Sequence, residues 1–191
     1  NIMTSLLNSK TLLKVDEVIN ELETKDFESF KSKINEISKN LNITEDENSK
    51  LFILSNNYSK NQSNLTDLER ECRSIVLDKE DLSVVCYTHD NIYYNEEAKN
   101  FVLNKDVTDS QKIYECYEGT LLSVYNHNNR WYVSTRKCVD SNLSFWSSEK
   151  THYDMLLEAL KELNMDYTSF TMSLKKEYSY LFVLVHYENK N

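Results

Sequence analysis

The chain has 191 residues, of which one is glycine and none is proline. Ordinary usage would supply roughly 13 glycines and roughly 10 prolines, so collagen-like sequence, Pro-rich or Gly/Ser linkers, Gly-rich phosphate loops and the GxGxxG dinucleotide fingerprint are all excluded. The formal net charge is −9; a free-standing nucleic-acid binder is usually basic, so nucleic-acid contact here would need a local basic patch.

Asparagine occurs 22 times and lysine 18 times, against 4 arginines and 2 alanines. Residues with GC-rich codons are scarce, which fits an AT-rich genome such as those of some parasites and large DNA viruses. The length suits one domain or a large part of one. Hydrophobic residues make up 40% and aromatics 12%, enough for a packed core. No apolar run approaches the ~18 residues that span a bilayer, and no signal peptide is visible. The chain opens at Asn1 with its first Met at position 3, and it reads as a piece of a longer protein. Cys72, Cys86, Cys116 and Cys138 are widely separated with no CxxC pair, which predicts reduced thiols and no zinc site.

In chain order, residues 11–22 place Leu12, Val15, Val18, Ile19 and Leu22 at helical spacing. Residues 26–41 do so more cleanly, with Phe27, Phe30, Ile34, Ile37 and Leu41 on one stripe and Asp26 as N-cap. Residues 51–54 form a short apolar run with strand character, and 56–64 reads as a loop. Strands are predicted at 72–77 and 82–87, joined by an Asp78-Lys79-Glu80-Asp81 turn. Further strands are predicted at 113–117 and 120–125. The polar stretch 126–129 then leads into a strand at 131–135, completing a second hairpin. Residues 68–87 and 111–135 are expected to belong to one sheet. Residues 151–163 form a predicted helix with Met155, Leu156, Leu160 and Leu163 buried, and 178–187 a long closing strand. Hairpins with helices set apart predict an α+β domain with a mainly antiparallel sheet.

A chain that avoids glycine keeps one, in Tyr114-Glu115-Cys116-Tyr117-Glu118-Gly119-Thr120-Leu121-Leu122. A lone glycine between strand patterns marks a bulge with positive φ or a close backbone approach. Around it the sequence resembles the nucleotidyltransferase domain of phage-type RNA ligases, whose motif is Lys-x-Asp/Glu-Gly-Ser followed by a Leu/Ile-rich strand. Glu118-Gly119-Thr120-Leu121-Leu122 matches the second half. Arg73-Ser74-Ile75-Val76-Leu77-Asp78 looks like the family's upstream Arg-Gly-Ile-Val-Phe-Asp strand. Residues 131–137 look like the strand ending in Thr-Lys/Arg-Gly, and 181–190 like Phe-Glu-Leu-Val-Ser-Pro-Glu-Asn-Arg. The resemblance covers roughly residues 50–191, so 1–48 reads as a helical N-terminal segment and 49–191 as an incomplete ligase-like domain.

The resemblance implies a lysine nucleophile that forms lysyl-AMP, an amine that must be neutral and positioned. Cys116 stands at that position, and Val183 where the family carries a pocket glutamate; Ser74 replaces a glycine. Lys112 would share a strand face with Cys116 but lie about 13 Å away at ~3.3 Å per residue. The family's later Glu-Gly strand and lysine pair would fall beyond Asn191.

No catalytic residue or metal ligand is therefore assigned. The nucleotide- or nucleic-acid-binding candidates are Arg73, Glu118, Gly119, Arg136 and Lys137. Arg136 and Lys137, with Trp131 and Tyr132, are read either as a small phosphate and stacking surface or as an exposed strand end. Arg73 is read as a phosphate ligand or as half of a buried ion pair. The histidines show no metal-ligand spacing, and Tyr87, Tyr93, Tyr94 and Phe101 read as core and rim packing.

Two functional readings follow. In the first, the chain resembles degenerate ligase-like proteins of large DNA viruses, among which Tyr-Glu-Gly-Thr forms recur. It is then an inactive pseudoenzyme without a cofactor, a binding, virion structural or assembly module in the host cytoplasm or the virion. Its partners would be viral structural or assembly proteins, with RNA a further candidate and no membrane. In the second, it is an active RNA ligase using ATP and Mg, with its remaining motifs beyond this chain. Unrelated ancestry is the third possibility.

Overall fold

A computed structural model describes residues 12–57, 65–104, 117–146 and 149–187. The chain begins with helices α1 (Lys14–Asn20) and α2 (Phe27–Ile37), then strands β1 (Leu41–Glu45) and β2 (Leu51–Asn56) and helix α3 (Asp67–Glu71). β3 (Ile75–Asp78), β4 (Val84–Tyr87) and α4 (Asn95–Leu103) follow. The second half holds β5 (Thr120–His127), β6 (Arg130–Ser134), α5 (His152–Glu162), α6 (Tyr167–Met172) and β7 (Tyr180–Leu184). The fold is α+β, as the hairpin pattern predicts, and among the described residues every strand pairing is antiparallel.

The two predicted hairpins do not share a sheet. One sheet has the order β1-β2-β3-β4 and the other β6-β5-β7. They stack face to face, which explains why all six residues of β2 are buried. Leu51 and Ile53 on its inner face pack with Val76, Cys86, Tyr125 and Val139 between the sheets. Phe52 and Leu54 on its outer face pack with Val15, Val18, Phe30 and Ile34 of the first two helices. On the far side, Leu122, Val124 and Val133 meet Met155, Leu156 and Leu160 of α5 and Phe170 of α6. The result is four layers, helix–sheet–sheet–helix. None of the helices among the described residues is long and apolar enough to cross a membrane.

Local chemistry explains the element ends. The buried Glu71 carboxylate accepts the free amides of Lys14 (2.9 Å) and Val15 (3.0 Å) at the start of α1. Asp26 caps α2 by accepting Ser29 N–H at 2.8 Å, as its position suggests. The predicted helix does not run to residue 41. Ser38 turns the chain into extended backbone, held by its hydroxyl on Glu69 Oε1 and by Asn40 N–H on its Oγ at 3.0 Å. Leu41 therefore opens β1, an element that continues the i, i+4 stripe by coincidence. The boundary expected at residue 48 falls in the β1–β2 turn, and the expected helical segment supplies an edge strand to the first sheet.

Other expectations need correction. The strand predicted at 72–77 starts at Ile75, because 67–71 is helical behind a Thr66/Glu69 capping box. Helices α4 and α6 are additions; α6 is capped by Asp166 on Ser169 N–H at 2.7 Å. Leu163 lies past α5 and is 69% exposed. The closing strand is confined to Tyr180–Leu184. The strand predicted at 113–117 lies almost wholly outside the described residues. Tyr93 stacks on Phe101 at 4.4 Å, while Tyr94 and Phe101 are exposed rim residues.

Five described non-glycine residues adopt positive φ, and four are asparagines: Asn95, Asn128, Asn129 and Asn164; the fifth is Leu82. Asn128 and Asn129 make the tight β5–β6 turn at φ 50° and 62°, the left-handed pair a two-residue hairpin requires. Gly119 is not among them, since no described glycine has positive φ. Its constraint is space: a Cβ there would lie 2.4 Å from Leu184 O and 2.9 Å from Val183 Cγ1.

Two predictions follow from packing. Ile34 is fully buried while Ile37 is 43% exposed, so Ile34→Ala should cost about 2–5 kcal/mol and Ile37→Ala less than about 0.5, read by urea unfolding. Gly119→Ala forces backbone against backbone and should cost about 1–3 kcal/mol, a drop of roughly 2–4 °C per kcal/mol in thermal unfolding. Unfolding identical to the parent would refute the close-approach argument.

Candidate functional site

The candidate residues Arg73, Glu118, Gly119, Arg136 and Lys137 all line one open cleft of about 770 Å³. Separate elements bring them there. Arg73 precedes β3 and Arg136 follows β6. Glu118 and Gly119 lead into β5, and Gly119 lies against β7 through its contact with Leu184. The remaining wall includes Phe145, Trp146, His152 and His186.

Arg136 holds the two sheets together at this end. Its guanidinium donates to Asn56 O (2.8 Å) and Asn56 Oδ1 (2.7 Å) at the end of β2, and to Arg73 O at 3.2 Å. Asn56 in turn donates to Glu69 O (2.6 Å) and Asn91 Oδ1 (3.0 Å). At the opposite ends of the strands His127 Nε2 is hydrogen-bonded to Asp78 Oδ2 at 2.7 Å. The sheets are thus tied at both ends.

All acceptors of Arg136 are neutral, and the ion pair considered for Arg73 is not formed. Neither guanidinium has a carboxylate partner among the described residues. Burial holds Arg73 below the ordinary arginine range, and the positive charge of Arg136 adds to the effect. Burial also lowers Arg136. Two half-buried cations therefore stand side by side with no ion-paired carboxylate among the described residues, in a chain whose net charge is −9. Arg73 Nη1 is buried with no hydrogen-bond partner.

His152 is a second orphan in the same wall. It is 3% exposed, and its Nδ1 lies 2.9 Å from Ser144 O. Its Nε2 has no partner. His186, by contrast, is bound to Glu158 at 2.9 Å. Lys137 is exposed, and Phe145 and Trp146 are 54% and 57% exposed at the cleft wall.

One expectation changes. Trp131 and Tyr132 do not accompany Arg136; they line a different cavity, and the aromatic faces of the cleft are Phe145 and Trp146 instead. Distance along the strand explains this, because residues 131–132 lie near the start of β6 and Arg136 lies beyond its end. His152 is buried at the start of α5, next to the Thr151–Asp154 capping pair. Cys116 and Lys112 lie outside the described residues. Val183 is 46% exposed and pairs with Leu121, so both sit on the sheet face next to Gly119. Burial pushes the Cys86 thiol up to about 11 and Cys72 further, consistent with inert packing.

Comparison with protein-family models, with curated proteins and with solved structures finds no match.

The two arginines should respond oppositely to substitution. Arg136→Met removes the donors to Asn56 O and Oδ1 that tie the sheets at this end and should cost about 1–3 kcal/mol. Arg73→Met removes an uncompensated charge and should raise thermal stability, most clearly at low ionic strength. A loss above ~1 kcal/mol in the Arg73 variant would show that its role is structural.

Proposed function

We propose that this chain is an inactive RNA-ligase-like domain that holds a phosphate-bearing ligand, a nucleotide or an RNA end, in the cleft. It serves as a binding or assembly module, and its place is the host cytoplasm or the virion of a large DNA virus, with viral structural or assembly proteins as partners. One observation carries the binding part of this reading. Arg73 and Arg136 share the cleft, and no carboxylate among the described residues is ion-paired with either, Glu118 of the same cleft included. A half-buried guanidinium pair without a counter-ion is unfavourable unless an anion completes it, and guanidinium is the group best matched to phosphate.

The supporting features agree. The cleft volume of about 770 Å³ is in the range of small-molecule sites. The unpartnered Arg73 Nη1 offers a hydrogen bond to oxygen, and Phe145 and Trp146 offer faces on which a base can stack. The inactive part rests on residue identity. Val183 puts an apolar side chain where the resemblance implies a carboxylate, and Cys116 replaces the amine. Phosphoryl transfer draws its rate mainly from positioning and charge stabilisation, which binding by two arginines does not supply.

Binding and chemistry are tested separately. A 5′-phosphorylated RNA oligonucleotide should bind more tightly than its 5′-hydroxyl counterpart, and Arg73→Met should abolish most of that difference, a loss of about tenfold or more. Intact-mass spectrometry after incubation with ATP and Mg should show no added AMP, in the parent or in Cys116→Lys. A mass gain on the parent would establish the active ligase instead. A gain only in Cys116→Lys would show a surviving pocket that has lost its nucleophile alone.

A further inference from the structure

A second cavity, of about 240 Å³, opens at the opposite ends of β2 and β6 from the cleft. Its walls include Asp46, Trp131, Asp140, Ser141, Tyr153 and Tyr167. We propose that it is a binding site for a primary alkylammonium group, carried by a lysine side chain or by a free diamine.

The carboxylates come first. Asp46 is 8% exposed, and its one side-chain partner is the Ser49 hydroxyl at 2.5 Å. Asp140 caps the short 3-10 turn Ser141–Leu143 by accepting Asn142 N–H at 2.9 Å. Neither is ion-paired among the described residues. A buried carboxylate without a cation is costly. Arg130 also borders the cavity, but it is exposed and its guanidinium sits over the Tyr132 ring at 4.9 Å.

A separate observation points to a ligand. Ser141 lines the cavity and is fully buried, yet its Oγ has no hydrogen-bond partner. Native interiors rarely leave such an atom unsatisfied. The cavity therefore offers three oxygen-bearing groups, Asp46, Asp140 and Ser141, and an ammonium carries three N–H donors.

The aromatic wall selects an organic cation. Tyr153 and Tyr167 form an edge-to-face pair at 5.4 Å, and Trp131 adds an indole. Ring faces attract ammonium groups and cover an alkyl stem. At ~30 Å³ per water-sized group the space admits roughly eight, enough for a short alkyl chain. This inference is independent of the phosphate cleft, because the two sites share no residue.

The full chain is titrated calorimetrically with butane-1,4-diamine, with Nα-acetyl-lysine amide and with butane-1,4-diol, while NMR follows the Trp131 indole N–H. Saturable binding of either amine with a shift of the Trp131 signal is expected, and none for the diol. Binding of the lysine amide would point to a protein lysine; binding of the diamine alone would point to a free polyamine. Asp140→Asn should weaken binding about tenfold, and Ser141→Ala should weaken it without unfolding the chain, while Glu28→Gln on the exposed face of α2 leaves it unchanged. Equal binding of the diol, undiminished binding in both site variants, an equal loss in Glu28→Gln, or no saturable response would each overturn the proposal.

Discussion

The contact of Arg136 with the end of β2 organises this molecule. Two sheets stacked through apolar side chains could slide or splay, because hydrophobic contact has no direction. The bonds from one guanidinium to Asn56 and to the Arg73 carbonyl do have direction. They fix where the second sheet lies over the first. They also engage Nε and Nη2 of Arg136 with neutral acceptors, so no described carboxylate neutralises its charge. The neighbouring Arg73 then stands in a field that no described carboxylate cancels. The same contact that closes the sandwich keeps its open end positive.

The layered core was legible where one face is apolar and the other polar. The Phe30 and Ile34 stripe and the Met155, Leu156 and Leu160 stripe read as helices and are helices. The β3–β4 and β5–β6 hairpins were legible from their turns. The partition into two sheets was not, because hairpins specify neighbours and not which hairpins lie side by side. β2 carried a hint in its unbroken apolar run 51–54, which is what burial on both faces produces. Short elements escaped for a physical reason. α3 and α6 rest on side-chain caps more than on a periodic face, α4 buries none of its residues, and β1 shows only Leu41 and Ile43 as apolar positions.

The cleft was partly legible. Five residues singled out along the chain come together in space, although the reasons given for Gly119 and for Trp131 were incomplete. The burial of His152 was not legible, because nothing in a lone histidine tells which way the ring points. The state of Arg73 could not be read either. A chain with 31 acidic residues offers many potential partners, and only the fold shows that none of those described reaches it.

The tight turn at Asn128 and Asn129 has a bearing on how such a sequence can change over time. Glycine does two separable jobs in proteins. It reaches left-handed backbone, and it makes room. Asparagine can take over the first at modest cost, and four of the five left-handed positions among the described residues are held by it. No residue with a Cβ can take over the second. Under a mutational pressure that trades glycine for asparagine, a lineage can lose its turn glycines one by one and still fold, until the survivor is the one whose absence of volume is the function. In such a chain the last glycine marks where two backbones touch, and its position is a structural datum in its own right.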